Sequence, residues 1–220
     1  MRSIRPTRVS SIALIAAALA STAAVADASP NWHVYDLSAS QRTLTSAEAR
    51  GQGSDLAIFD FLFTPTTSYL LTHQGASGLP GDIRGRTLTA TFSIEKSAGA
   101  TFFYDTTNNP CGTPSSARLF FQTSNSGGFD ETHFWWSNPE SAVLDTATGE
   151  VTISAVVEGA AWSDFFGHFG SDPQFSAGFD AAAANAIYLG LSYGGGCFFA
   201  NGVGVQGGSA TFHLLAFSVD

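Results

Sequence analysis

Two adjacent tryptophans beside a histidine are the residues of this sequence whose types best suit contact with a ligand. They lie in the stretch THFWWSNPES at 132–141. Because neighbouring residues of a β-strand point to opposite faces of the sheet, Trp135 and Trp136 cannot enter the same core. The alternation predicts that Phe134 and Trp136 support the core. It places His133 and Trp135 on the face that meets solvent.

The neighbouring segment SARLFFQTS at 116–124 shows the same alternation. Alanine, leucine and phenylalanine form its apolar side, and Arg118, Phe120 and Gln122 fall on the other side. If the two segments pair as neighbouring strands, one solvent-facing surface collects all the candidate ligand-binding residues. These are Trp135, His133, Arg118, Gln122 and Phe120.

Such a surface has the composition that a sugar-binding site needs. The C–H face of a pyranose stacks on an indole ring, and Arg, Gln and His side chains form hydrogen bonds with its hydroxyl groups. We therefore expect Trp135 to stack on the ligand and the three polar residues to bond to it.

A structural role for the same residues is the alternative. A covering loop, such as the polar span 38–54, would bury Trp135. Arg118 would then form an ion pair with an acidic neighbour, Asp130 or Glu131. Both arrangements fit the sequence.

The elements that must position these residues are nearly all β. From Asn31 onward, short runs rich in Phe, Thr, Val and Ile alternate with Gly, Asn, Ser and Pro. The segments TLTATFSIE at 87–95 and EVTISAVVE at 150–158 alternate apolar and polar residues, as half-buried antiparallel strands do.

A single short helix is predicted near 173–185, with Asp172 as its N-cap and Pro173 at its first position. About ten short strands and one helix predict an all-β fold over residues 31–220. We expect one domain, a double-sheet β-sandwich of the jelly-roll type.

The first 26 residues have the pattern of a signal peptide. A basic start is followed by a short apolar run and by the small-x-small sequence Ala24–Ala26. Cleavage between Ala26 and Asp27 would release a soluble secreted protein, extracellular or periplasmic, with residues 27–30 as an N-terminal tail. A retained N-terminal anchor is the alternative. No second stretch is apolar enough to predict a membrane span.

The charge balance excludes several classes of partner. The chain carries nine basic and eighteen acidic residues. Three of the basic residues lie in the leader and none of the acidic ones does, so the mature chain has a formal charge of −12. That charge repels nucleic acid and anionic lipid and is compatible with a neutral glycan or a bound cation.

The two cysteines, Cys111 and Cys197, predict one disulfide in an exported chain. The bridge would close a loop of about 87 residues, which is worth about 4–5 kcal/mol in the chain-entropy model.

Motifs of catalysis are missing from the sequence. It has neither a Gly-x-Ser-x-Gly elbow nor a His-Glu-x-x-His pair, and the adjacent carboxylates Asp130 and Glu131 would point apart on a strand. These observations favour a protein that is not an enzyme.

Several runs resemble a group of secreted bacterial proteins and, more distantly, galactose-binding-like jelly rolls, the fold of many carbohydrate-binding modules. The runs are GDIRGRTLTATFSI, ARLFFQ, FWWSNP, WSDFFG, IYLGLSYGGGCFFANGVG and SATFHLLAFSV. The resemblance implies glycan binding on a concave sheet face that carries Trp135, Arg118, Gln122 and His133. It also implies a structural calcium ion near a strand end, where Asp220 is the candidate.

The expected function is therefore non-catalytic binding of a carbohydrate. A structural or cell-envelope protein without a small ligand is the first alternative. A glycan-active hydrolase or lyase is the second. The sequence leaves the oligomeric state open.

Overall fold

The computed structural model describes residues 27–38, 43–107, 111–123 and 133–220, which form fourteen strands, two α-helices and one turn of 3-10 helix. The strands are Asp27–Ser38 (β1), Thr43–Gln52 (β2), Asp55–Asp60 (β3), Thr67–His73 (β4), Thr87–Lys96 (β5), Thr101–Phe103 (β6), Ser116–Gln122 (β7), Phe134–Ser137 (β8), Ala142–Val143 (β9), Glu150–Val156 (β10), Trp162–Ser163 (β11), Tyr188–Gly194 (β12), Gly204–Gln206 (β13) and Ala210–Val219 (β14). The α-helices are Gln74–Ser77 (α1) and Ser176–Ala184 (α2), and the 3-10 turn is Gly159–Ala161.

Twelve of these strands form one antiparallel sheet that curls over itself. Their order is β10-β5-β14-β3-β2-β1-β4-β12-β7-β8-β11, with β9 beside β7, and β6 pairs with β13 in a small second sheet. Buried residues from both ends of the large sheet share one core, for example Phe92 of β5 and Phe121 of β7. The predicted all-β sandwich is confirmed, and its two layers are continuous through β2 and β1.

The alternation read from the sequence sets the inner and outer faces of the first layer. On β5, Leu88, Ala90 and Phe92 are buried in the core. Their neighbours face outward, where the hydroxyl of Thr89 lies 2.9 Å from that of Ser154 and Thr91 pairs in the same way with β10. One face of this layer is therefore apolar and the other carries hydroxyl groups.

Aromatic rings fill the centre of the core. Phe212 of β14 stacks on Phe59 and Phe92, with centroid separations of 5.2 and 4.9 Å. Tyr193 of β12 meets Phe212 edge-on at 5.5 Å and brings a phenol oxygen into this apolar environment. That oxygen is buried and has no hydrogen-bond partner among the described residues.

The predicted helix is confirmed as α2, which buries Phe179, Ala182 and Ala183 against the core. Its N-cap is Phe175 rather than Asp172, because Asp172 lies one turn earlier and its carboxylate accepts a bond from the backbone N–H of Phe169. The four-residue α1 was not predicted. In the part of the chain that the structure describes, no helix is long and apolar enough to cross a membrane.

Two predictions at the N-terminal end differ from the structure. Residues 27–30, expected as a tail, belong to β1, where Asp27 pairs with Gly51 and Ala28 with Arg50. The span 38–54, expected as a loop, contains β2, because backbone pairing with β1 and β3 organises a polar sequence into a strand. The predicted signal peptide, residues 1–26, lies outside the described residues.

The unpartnered phenol of Tyr193 predicts the effect of removing it. Tyr193→Phe deletes a buried hydroxyl, and no described residue forms a hydrogen bond that offsets the cost of desolvating it. We therefore expect the unfolding free energy to stay the same or to rise by about 1 kcal/mol. Tyr104→Phe is the matched control, since the Tyr104 hydroxyl donates to the Cys111 carbonyl at 3.2 Å, and its loss costs about 0.5–1.5 kcal/mol. Urea denaturation measures the unfolding free energy of both variants. A larger decrease for Tyr193→Phe than for Tyr104→Phe would contradict the statement that the Tyr193 hydroxyl has no partner.

Burial of tyrosines also predicts a loss of stability at alkaline pH. Burial raises the pKa of Tyr193 and of Tyr69 well above the usual value, so both stay protonated in the folded chain. The contribution of these two phenols to the unfolding free energy is complete below about pH 10, where the phenols of the unfolded chain are also protonated. It decreases as pH rises further. Tyr69→Phe and Tyr193→Phe should each flatten this decrease in denaturation curves recorded from pH 9 to 11, and unchanged slopes contradict the prediction.

Candidate functional site

The register of β7 and β8 determines which tryptophan enters the core. Phe121 pairs with Trp135, and Phe120 pairs with Trp136. Trp135 therefore points into the main core with Phe121; its exposed fraction is 0%, and its ring meets Phe179 of α2 edge-on at 5.0 Å. The prediction that Trp135 faces solvent is wrong, because cross-strand partners share a face and Phe121 belongs to the inner one.

The other predicted site residues are divided by the same register. Arg118, Phe120 and Gln122 do lie together on the outer face of β7, as the alternation predicted, but all three are buried. His133 precedes β8 and is partly exposed, and its carbonyl accepts a bond from the backbone of Thr123 at 3.3 Å. The structure thus brings three of the five residues onto one face and separates Trp135 from them.

Side chains from five neighbouring strands build a second apolar cluster on this outer face. We call it the outer aromatic face and define it by Tyr35, Tyr69, Leu71, Phe120, Phe134, Trp136 and Tyr188. Phe134 and Trp136 are buried as predicted, but in this smaller cluster rather than in the main core. The register aligns one row across four strands, from Tyr35 through Tyr69 and Ser192 to Arg118.

The glycine-rich segment after β12 covers one end of this face. Phe199 meets the ring of Trp136 at 5.9 Å, and Phe165 meets it at 6.2 Å from the opposite segment. A Cβ atom on Gly194 would come within 2.6 Å of the Phe198 carbonyl, so only glycine allows the segment to lie so close to β12.

The predicted disulfide between Cys111 and Cys197 fastens the covering segment. A backbone bond of 2.7 Å from Gly196 to the Thr113 carbonyl joins the same two parts of the chain. The bridge therefore holds Phe199 over Trp136 as well as closing a long loop.

Arg118 lies beneath Phe199. The centre of its guanidinium is 3.7 Å from the ring centroid of Phe199, and its exposed fraction is 4%. Its Nη1 donates to the carbonyls of Ser137 at 2.8 Å and Pro139 at 3.4 Å. Burial lowers the pKa of Arg118 to about 10, and the charge of Glu140 opposes this shift. The alternative partners for Arg118, Asp130 and Glu131, lie outside the described residues.

The opposite end of the face is more open. Tyr35 and Tyr188 are partly exposed, and the ring of His73 meets Tyr188 edge-on at 5.4 Å. Burial raises the pKa of Tyr35, and the neighbouring phenol of Tyr188 raises it further. Between Tyr188 and Ser192, Gly190 leaves the strand without a side chain, with φ at +154° and a Leu70 carbonyl where a Cβ would lie. Gly190 is itself buried, so its lack of a side chain allows β4 and β12 to approach closely at the centre of the face.

Two imidazole–carboxylate pairs lie on other parts of the molecule. Nδ1 of His168 is 2.9 Å from the buried carboxylate of Asp164, and Nδ1 of His213 is 2.9 Å from Asp55. The first carboxylate also accepts backbone bonds from Phe166 and His168, which close a tight turn. The Asp164–His168 pair therefore has a structural explanation within its own loop.

The calcium site implied by the resemblance does not fit the described residues. Oδ2 of Asp220 accepts a bond from the Ser218 hydroxyl at 2.8 Å. Within the described ranges, no three His, Cys, Asp or Glu side chains come together as metal ligands would. Calcium coordinated by proteins needs six to eight oxygen ligands, so Asp220 alone is insufficient.

Comparisons with known proteins add no family. No protein-family model, no curated protein and no solved structure matches the chain.

Sequence reasoning missed Tyr35 and Tyr188 as members of the face. Tyr35 is in β1 and Tyr188 in β12, and β4 lies between these strands. Their alternation with buried Val34 and Leu189 was the available signal, but strand pairing is needed to bring them together.

Loss of the disulfide should uncover Trp136. In a Cys111→Ser, Cys197→Ser double variant we expect the unfolding free energy to fall by about 4–5 kcal/mol, because the unfolded chain regains loop entropy. Acrylamide should quench the fluorescence of Trp136 more strongly in this double variant than in the wild type. The contribution of Trp136 is obtained by subtracting the signal of the same protein with Trp136→Phe added.

Phe199→Ala with an intact disulfide is the control. It should increase the quenching of Trp136 without the large loss of stability. Unchanged quenching in the double variant would show that the bridge does not hold Phe199 in place.

Proposed function

We propose that the protein is an exported, non-catalytic carbohydrate-binding protein and that the ligand binds on the open end of the outer aromatic face. The observation that supports this proposal is the pair of partly exposed phenols, Tyr35 and Tyr188, on a sheet face that also carries Gln122. The sequence pattern of residues 1–26 and the disulfide support export.

The chemistry of this end suits a sugar ring. Aromatic faces bind the C–H face of a pyranose, and rings already held by sheet packing lose little conformational freedom on binding. Tyr188 is held by its edge-on contact with His73, and Tyr35 lies beside Tyr69 in the register. In this proposal, the stacking role that the sequence suggested for Trp135 belongs to Tyr35 and Tyr188.

Polar groups around the phenols supply hydrogen bonds. His73 is exposed, and Tyr188 pairs with His73 on one side and with Gln122 on the other. Phenol, imidazole and amide groups donate and accept in several directions, as sugar hydroxyl groups require.

The formal charge, −9 for the full chain and −12 without residues 1–26, is consistent with this class of ligand. A negative protein repels phosphate backbones and anionic lipid headgroups over several ångströms, whereas it has no such effect on neutral sugars. Binding through aromatic stacking also depends little on salt, which separates it from electrostatic docking.

Substitution of the two phenols tests the proposal. A glycan array should identify the glycans that the wild type binds. Tyr35→Ala and Tyr188→Ala should each lower the affinity for the best of these ligands by about tenfold, the equivalent of one lost stacking contact. Isothermal titration calorimetry measures the affinities.

Phe63→Ala is the matched control, since Phe63 is 74% exposed and is not part of the outer aromatic face. Its affinity should equal that of the wild type. Absence of binding to any glycan overturns the proposed function, and binding that survives both tyrosine substitutions overturns the proposed site.

A further inference from the structure

Arg118 is a buried cation that no described carboxylate neutralises. Arg50 and Arg84 form ion pairs with Asp60 and Asp82 at 2.8 and 2.7 Å, and both pairs are exposed. In the described part of the chain, no carboxylate lies within ion-pair distance of Arg118, although the charge of Glu140 reaches it. A buried guanidinium without a counter-charge is costly, so its retention calls for a partner.

The geometry leaves one edge of the guanidinium available. Nη1 is committed to the Ser137 and Pro139 carbonyls, and Phe199 covers one planar face. Nε is buried and has no hydrogen-bond partner among the described residues. The edge formed by Nε and Nη2 is the one that binds a carboxylate side-on through two parallel hydrogen bonds.

Two further donors without a described partner lie on the same face. Ser192 is the cross-strand neighbour of Arg118, and its hydroxyl is buried and unbonded in the described residues. The indole N–H of Trp136 is in the same situation, and its ring, like Arg118, lies against Phe199. Arg118 and Trp136 thus lie against the same ring, and Ser192 is beside Arg118 in the sheet. A carboxylate next to Arg118 has several lone pairs and could accept from more than one of these donors.

We propose that the glycan carries a carboxylate, as uronic acids do, and that Arg118 and Ser192 bind this carboxylate. The inference rests on the function proposed above and specifies its ligand. The row Tyr35–Tyr69–Ser192–Arg118 connects the sugar-stacking end of the face to the cationic end. A single planar anion matches a single guanidinium, and binding requires the partly exposed Phe199 ring to move aside.

The test compares an acidic glycan with its own neutral form. Neutral oligosaccharides that carry one terminal galacturonate or glucuronate unit are titrated beside the same oligosaccharides with that one carboxylate methyl-esterified. The wild type should bind the acid at least about tenfold more tightly than the ester. Arg118→Met keeps the length of the side chain and removes the charge; it should bind the acid only as tightly as the ester.

Arg84→Met, which removes an exposed and paired arginine, should leave both affinities unchanged. Ser192→Ala should weaken binding of the acid several-fold more than binding of the ester. Equal binding of acid and ester by the wild type, or undiminished acid binding by Arg118→Met, overturns the carboxylate site while leaving the proposed function intact.

A spectroscopic measurement separates the two proposals where no glycan binds. The ¹⁵Nε signal of Arg118, assigned by its absence in Arg118→Met, is followed during titration of the wild type with sodium acetate and with galacturonate. A saturable shift with either anion supports a carboxylate site even if no glycan binds, an outcome that overturns the proposed function and leaves the carboxylate site standing. No shift with both anions overturns the carboxylate inference.

Discussion

The register between β7 and β8 is the constraint on which the rest of the candidate site depends. Since Phe120 pairs with Trp136, Trp135 must share a face with Phe121, and a displacement of one residue would exchange the two sets. In the observed register, the main core gains an indole that packs on Phe179 of α2. The outer face receives Trp136, which then needs a cover of its own.

That need explains why this half of the sandwich is apolar on both faces, while the other half is not. The layer of β5 and β10 carries a row of hydroxyl groups outside, as antiparallel sheets commonly do. Around β7, the segments that carry Phe165 and Phe199 cover the outer side, and the bridge at Cys197 fixes the second of them. The disulfide, the glycines and the outer cluster therefore form one structural unit.

Local patterns were sufficient to predict the fold class, the position of α2, the disulfide and the faces of β5 and β7. Each of these depends on residue types and their spacing along the chain. The relative register of β7 and β8 does not, because residues 123–133 separate the two strands and the parity of their pairing has no local signal. The assignment of Trp135 to the wrong face follows directly from this, since alternation fixes two sets but not which set is inside.

The outer aromatic face was unpredictable for a related reason. Tyr35 and Tyr188 are distant in sequence and meet only because β4 pairs with both β1 and β12. A strand that is buried on both sides, such as β4, also loses the alternation on which the prediction relied, because Tyr69, Leu70 and Leu71 are all buried. Long-range pairing, rather than composition, assembles this surface.

The overall charge and the buried cation have compatible consequences because they act over different distances. The net charge, −9 for the full chain, produces a repulsion that salt screens within about 8 Å. Arg118, under Phe199, acts in a less polar environment, where a contact with one anion is stronger than at the surface. A polyanion encounters the first effect along its whole length, whereas a mostly neutral oligosaccharide with an occasional carboxylate encounters chiefly the second. The same chain can therefore repel nucleic acid and still select a singly charged group at one buried position.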